Sequence, residues 1–127
     1  MQNSMATLTT AARNAACNAI VDLIDVGGAG SLVFQTAASA EVATLTFSAT
    51  AFGASSVGVA TAASITSDTN ATGSGSNITK AVIQDGAATE VMTVTVGVSA
   101  SDINLTSVLV AATETVAVTS LTVTVPA

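Results

Sequence analysis

The feature that most constrains this chain is a strict alternation of threonine with aliphatic or aromatic residues. It recurs in Thr44-Leu45-Thr46-Phe47, in Met92-Thr93-Val94-Thr95-Val96 and in Leu121-Thr122-Val123-Thr124-Val125. A period of two puts one residue set on each face of an extended strand. Polar hydroxyls on one face and apolar groups on the other describe an antiparallel sheet with one face packed and one face wet. The β-branched residues that dominate these runs are stiff at χ1 and favour strands over helix.

From this pattern the sequence predicts strands over residues 31–36, 41–50, 57–63, 78–84 and 90–98. In the second, Leu45, Phe47 and Ala49 share the inner face, and Phe52 closes the core end just beyond it. In the third, Val57 and Val59 point inward. Met92, Val94, Val96 and Val98 share a face of the fifth. Asp85-Gly86 lies between the fourth and fifth and is suited to a type I′ hairpin turn. Shorter strands are expected over 102–107 and 108–112, with a closing strand over 114–125. The alternation changes phase between Thr119 and Leu121, which a bulge or a bend between sheets would produce. Pro126 lacks an N–H and ends the ladder.

These elements amount to about seven or eight strands in two packed layers. The expected fold is mainly β: an antiparallel sandwich or barrel-like domain with one N-terminal helix. Residues 1–8 read as an arm, and residues 9–127 as a single β-rich domain. The helix is expected over about 9–26, capped by Thr9 or Thr10. Its apolar stripe is Ala12, Ala16, Ile20, Leu23 and Ile24, with Cys17 beside it. Arg13, Asn14, Asn18, Asp22 and Asp25 fall mostly off that stripe. The two aspartates oppose the helix dipole, so the last turn should fray. Gly27, Gly28 and Gly30 then end the helix.

Composition narrows the function. The 127 residues include two basic side chains, Arg13 and Lys80, against eight acidic ones, for a net charge of −6. Nucleic-acid binding needs clustered Lys and Arg, so it is not expected. Charged residues make up 8% of the chain, far below the usual quarter, which fits either a surface of threonine, serine and alanine or a subunit covered by other copies. There is no Trp or Tyr, so aromatic hot spots and sugar-stacking platforms are missing. No run of 18 apolar residues is present, and the first residues lack the basic start of a signal peptide. Neither a membrane span nor a leader is expected.

Catalytic residue types are scarce. Histidine is absent, which removes the base of a Ser or Cys nucleophile and the usual zinc ligand sets. Cys17 is the single cysteine and reads as a small buried hydrophobe. Gly27-Gly28-Ala29-Gly30 follows a helix and lacks the Lys of a phosphate loop. Asp22 and Asp25 are neighbours at helical spacing, but no sugar-binding residues accompany them. Residues 67–77 form a polar loop whose Asp68, Thr69, Asn70 and Thr72 carry oxygen ligands without the calcium-loop spacing. Three Asn-x-Thr matches, at Asn70, Asn77 and Asn104, are expected by chance in a Thr-rich chain. The residues thus point to a non-enzymatic protein with no cofactor, no metal and no small-molecule substrate.

The opening LTTAARNAACNAIVDLIDVGGAGSLVFQT resembles the start of a group of small tailed-bacteriophage virion proteins, which begin with a helix of the LxxAARNAAxDAIVDLID type. LTFSATAFGASSVGVATAASITSDTNATGSG is similar to that group's central segment, and DINLTSVLVAATETVAVTSLTVTVPA to its closing strands. The stretch before Asp85-Gly86 departs from the group, with Lys80 and Ala81 where relatives carry a tryptophan and basic residues. The resemblance implies a virion component. Its first reading is a head-decoration or cement protein on the outer surface of the capsid. The partners implied are the major capsid protein and other copies of the chain, as a trimer or dimer. A minor tail or tail-tip protein and a host-surface receptor-binding module are the alternatives. The expected docking residues are Gln2, Asn3, Met5 and Leu8 of the arm, with Asp68, Asn70 and Asn77 of the polar loop, and edge-strand pairing is a further route.

Overall fold

The computed structural model describes residues 6–126. The chain is mainly β with one N-terminal helix and eight strands. Helix α1 spans Thr10–Asp22 and continues as a 3-10 turn, Leu23–Asp25. The strands are β1 Ser31–Thr36, β2 Glu41–Phe47, β3 Val59–Thr61, β4 Ile65–Thr66, β5 Ile78–Gln84, β6 Glu90–Gly97, β7 Ile103–Asn104 and β8 Thr122–Thr124. Six of them form a curled half-barrel in the order β4-β2-β1-β5-β6-β7, and β3 pairs with β8 in a small second sheet. Every pairing is antiparallel except β6 with β7, which is parallel and corrects the all-antiparallel expectation.

The register follows the threonine alternation. Leu32 lies between Leu45 and Ile83, and Ile83 is paired in turn with Met92. Phe34 lies between Ala43 and Ala81, and Ala81 is paired with Val94. These two rows form the inner face. The core gathers Leu32, Phe34, Leu45, Phe47, Ile78, Ile83 and Val96 with Phe52, Val110, Val116 and Leu121. Phe47 and Phe52 meet with ring centroids 5.7 Å apart, which closes one end of the core. The outer face carries Thr44, Val33, Val82 and Thr93 in one row.

Several elements differ from the expectation. The closing stretch is a strand only over Thr122–Thr124, and residues 108–112 form none. Their backbone still serves the sheet: Ile78 N–H donates to Val108 O at 2.8 Å, and Asp68 and Val116 form an isolated bridge. Ala49 lies beyond β2 and is exposed. Val57 is exposed with φ 51°, while Ala60 is the buried residue of β3. The inward set of that strand is therefore the opposite of the one predicted. Val98 lies past the end of β6 and is exposed.

The connection from β5 to β6 is a five-residue loop rather than a two-residue I′ turn. The Asp85 carboxylate accepts from the N–H groups of Ala87 and Thr89, each at 2.9 Å, and Ala88 takes the positive φ, 64°. Gly86 is needed for a different reason. Its N–H donates to Val26 O at 2.8 Å, and a Cβ there would meet Gly27 C at 2.6 Å. The loop packs backbone to backbone on the turn that follows the helix.

The helix faces the domain differently from the predicted stripe. Thr9 caps it as expected, accepting from Ala12 N–H at 3.1 Å. The buried residues are Cys17, Val21 and Ile24, while Ala12 and Leu23 are exposed. Beside that narrow apolar line, the polar residues point inward. Asn14 Oδ1 accepts from Gly58 N–H at 2.8 Å, Asn18 Oδ1 from Ser55 N–H at 2.9 Å and Asp25 Oδ1 from Ala51 N–H at 2.8 Å. Residues 51–58 have few strand partners, and these side chains supply the acceptors their backbone lacks.

Candidate docking surfaces

The predicted docking residues fall into two unconnected places. Gln2, Asn3 and Met5 lie outside the described residues. Leu8 is exposed just before the helix cap, at the end of the molecule where Arg13 Nε donates to Val125 O at 2.9 Å. Asp68 and Asn70 lie beside the start of β2, and Asn77 directly precedes β5.

Asp68 is not an available contact. Its Oδ2 accepts from Thr44 N–H at 2.9 Å, its Oδ1 from Asn70 N–H at 2.9 Å, and its backbone bridges Val116. The loop it opens is pinned along its length. Ala71 is buried and exchanges bonds with Thr113 and Glu114, and Gly73 N–H donates to Val42 O at 3.0 Å. Thr72 Oγ1 donates to Glu41 Oε1 at 2.6 Å. The loop is thus tied to the fold through the side-chain oxygens of Asp68 and Thr72, while Thr69 and Asn70 stay exposed. Asn70 and Asn77 remain exposed, as do Thr69, Thr72 and Ser76 of the same loop.

Both basic side chains are bonded within the chain. Arg13 is bonded to the Val125 carbonyl, and Lys80 Nζ donates to Ser39 Oγ at 2.6 Å. The Asp22–Asp25 pair is divided, with Asp25 bonded to Ala51 and Asp22 exposed. Cys17 is fully buried, its Sγ 3.4 Å from Val123 O. Among the described residues no group of three His, Cys, Asp or Glu side chains is placed to hold a metal ion. No described helix is long and apolar enough to cross a membrane.

Two of the open cavities among the described residues border strand ends. One, of about 330 Å³, lies between residues 104–110 and 114–119. The other, of about 350 Å³, lies between β6 and β8, with Ile83, Met92, Val94, Leu121 and Val123 lining it and Asp102 beside them. Asp102 and Thr95 bond reciprocally: Thr95 N–H to the carboxylate at 3.0 Å, and Asp102 N–H to Thr95 Oγ1 at 3.0 Å. A carboxylate thus occupies part of the outer edge of β6. Sequence reading did not single out this cavity, since it depends on which strand ends stay unpaired after the sheet curls. The one signal was the threonine on both bordering strands.

The chain matches no family model, no curated protein and no solved structure in comparisons with each.

Proposed function

We propose that this chain is a non-catalytic structural protein of a tailed-bacteriophage virion, acting as a decoration protein on the outer surface of the capsid. The sequence resemblance supplies the virion setting. The observation that supports the mechanical role is the disposition of polar groups. Arg13, Lys80, one Asp25 oxygen and both Asp68 oxygens are bonded within the chain, and the outer sheet face presents Thr44, Thr46, Thr93 and Thr95. Such a surface suits broad, weak, repeated contact through hydroxyls, small aliphatics and backbone. Many copies acting together stabilise a shell even when each interface is modest.

A cryo-EM reconstruction of the intact particle tests this reading. Density for the chain at junctions between major capsid subunits is the expected result. Density confined to the tail would overturn it in favour of a tail component, and density at a tail fibre tip would favour receptor binding.

A further inference from the structure

The two sheets end on edges that face the same gap. In β6, Thr95 N–H donates to Asp102 and Gly97 O accepts from Leu105 N–H, both on the side away from β5. Alternate residues of a strand point their backbone groups the same way. Thr93 therefore also turns its N–H and C=O away from β5. In β8, Val125 N–H bonds Gly58 O and Leu121 O accepts from Ala62 N–H, both on the β3 side. Thr122 and Thr124 accordingly turn theirs away from β3. Between these edges lies the 350 Å³ cavity with its apolar lining. Among the described residues no strand pairs with β8 on this side, and none pairs with β6 over Thr93.

We infer that this gap is a strand-acceptor site, and that its occupant is the N-terminal arm, residues 1–8, of a second copy of the chain. An added strand would bond the backbone of β6 on one side and β8 on the other, closing the half-barrel. Charge selects the arm. Asp102 borders the gap and the chain carries eight acidic residues, yet residues 1–8 contain none. Met1, Met5 and Leu8 suit an apolar floor, and unbranched methionine fills irregular space well. Reach is sufficient: eight extended residues span ~26 Å, against ~10 Å for a three-residue edge.

Direction selects a neighbouring copy over the same chain. Arg13 contacts Val125 O, and Cys17, one turn further along α1, contacts Val123 O. The helix therefore runs antiparallel to β8, and its N-terminus leads out past Val125, away from Thr122–Thr124. An arm continuing that line leaves its own gap behind. Passing each arm to the next copy makes a head-to-tail contact, which gives a ring where the rotation between copies closes. The inference does not depend on attachment to a capsid.

The test is the solution mass of the purified full chain, by sedimentation or light scattering. The expected result is a small closed oligomer, reduced to monomer by deletion of residues 2–8. Thr93→Pro removes the N–H facing the gap and leaves the bonds to β5 in place. It should give the same monomer with an unchanged far-UV circular dichroism spectrum, which keeps the test decisive if the deletion fails to fold. Oxidised Met5→Cys/Thr122→Cys protein should run as covalently linked chains on non-reducing gels. A monomeric full chain, an oligomer that survives Thr93→Pro, or a disulfide between positions 5 and 122 confined within single chains would each overturn the inference.

Discussion

The inward polar face of α1 yields a sharp contrast between two substitutions. Asn14→Ala removes the only acceptor shown for the buried Gly58 N–H. Leaving such a donor unsatisfied costs about 1–3 kcal/mol, so a value of about 2 kcal/mol is expected. Leu23 is 53% exposed, and Leu23→Ser should stay within about 0.5 kcal/mol of the parent. Unfolding entropy is about 2.1 cal/mol/K per residue, so over this chain a loss of about 2 kcal/mol lowers Tm by roughly 7 °C and about 0.5 kcal/mol by roughly 2 °C. Far-UV circular dichroism melts or calorimetry would measure this, since the chain has no Trp or Tyr to follow by fluorescence. From hydropathy alone the order should be reversed, with the leucine mattering and the asparagine not. A Leu23→Ser loss equal to or greater than that of Asn14→Ala would refute the polar-docking account of this helix.

Three further outcomes are expected. Gly58→Ala places a Cβ 2.5 Å from Val125 O at φ 75°, so it should lower the denaturant midpoint by an amount corresponding to about 2 kcal/mol or more, whereas Gly75→Ala meets nothing within 4 Å and should be near neutral. Asp68→Ala strips the acceptors from Thr44 and Asn70 N–H and should cost about 1–2 kcal/mol. Hydrogen exchange should show the loss as faster exchange at Thr44, Ala71 and Gly73 while β5 and β6 stay protected. Cys17 is fully buried, so a thiol reagent should label it only as fast as the protein opens, with the rate rising steeply in denaturant.

The parts of the fold legible in the sequence were those where a local period coincides with burial. Strands β1 and β5 fall on the predicted residues, and β2 and β6 end within a few positions of them, because their alternation is packed against neighbours on one face. The helix was legible as a helix but not in its orientation. Asn14, Asn18 and Asp25 look like solvent residues until the unpaired backbone of residues 51–58 is placed beside them. Asp85-Gly86 was legible as a turn, while the role of Gly86, a close approach to Gly27 and Gly28, depends on a segment almost 60 positions away. The polar loop misled for a related reason. Its oxygens resemble free ligands in sequence, and Asp68 and Thr72 prove to be bonded to β2. Of the predicted docking residues, Leu8, Asn70 and Asn77 are exposed, and the gap between β6 and β8 was not foreseen. It arises from edges left over after every other strand has found a neighbour.

The contacts between α1 and the strand end at Val123 and Val125 also constrain the order of events during synthesis. Arg13 and Cys17 are joined to residues 112 and 106 positions later in the chain. Loop closure over such separations is slow, because its entropy must be met before the contacts reward it. The helix precedes both of its docking partners, residues 51–58 and, much later in the chain, the β8 end. Before β8 is made, the helix can dock on residues 51–58 but lacks its bonds to Val123 and Val125. A chain interrupted before Leu121 would therefore keep its strand-forming middle and hold its helix by residues 51–58 alone, a looser form suited to capture by chaperones and proteases.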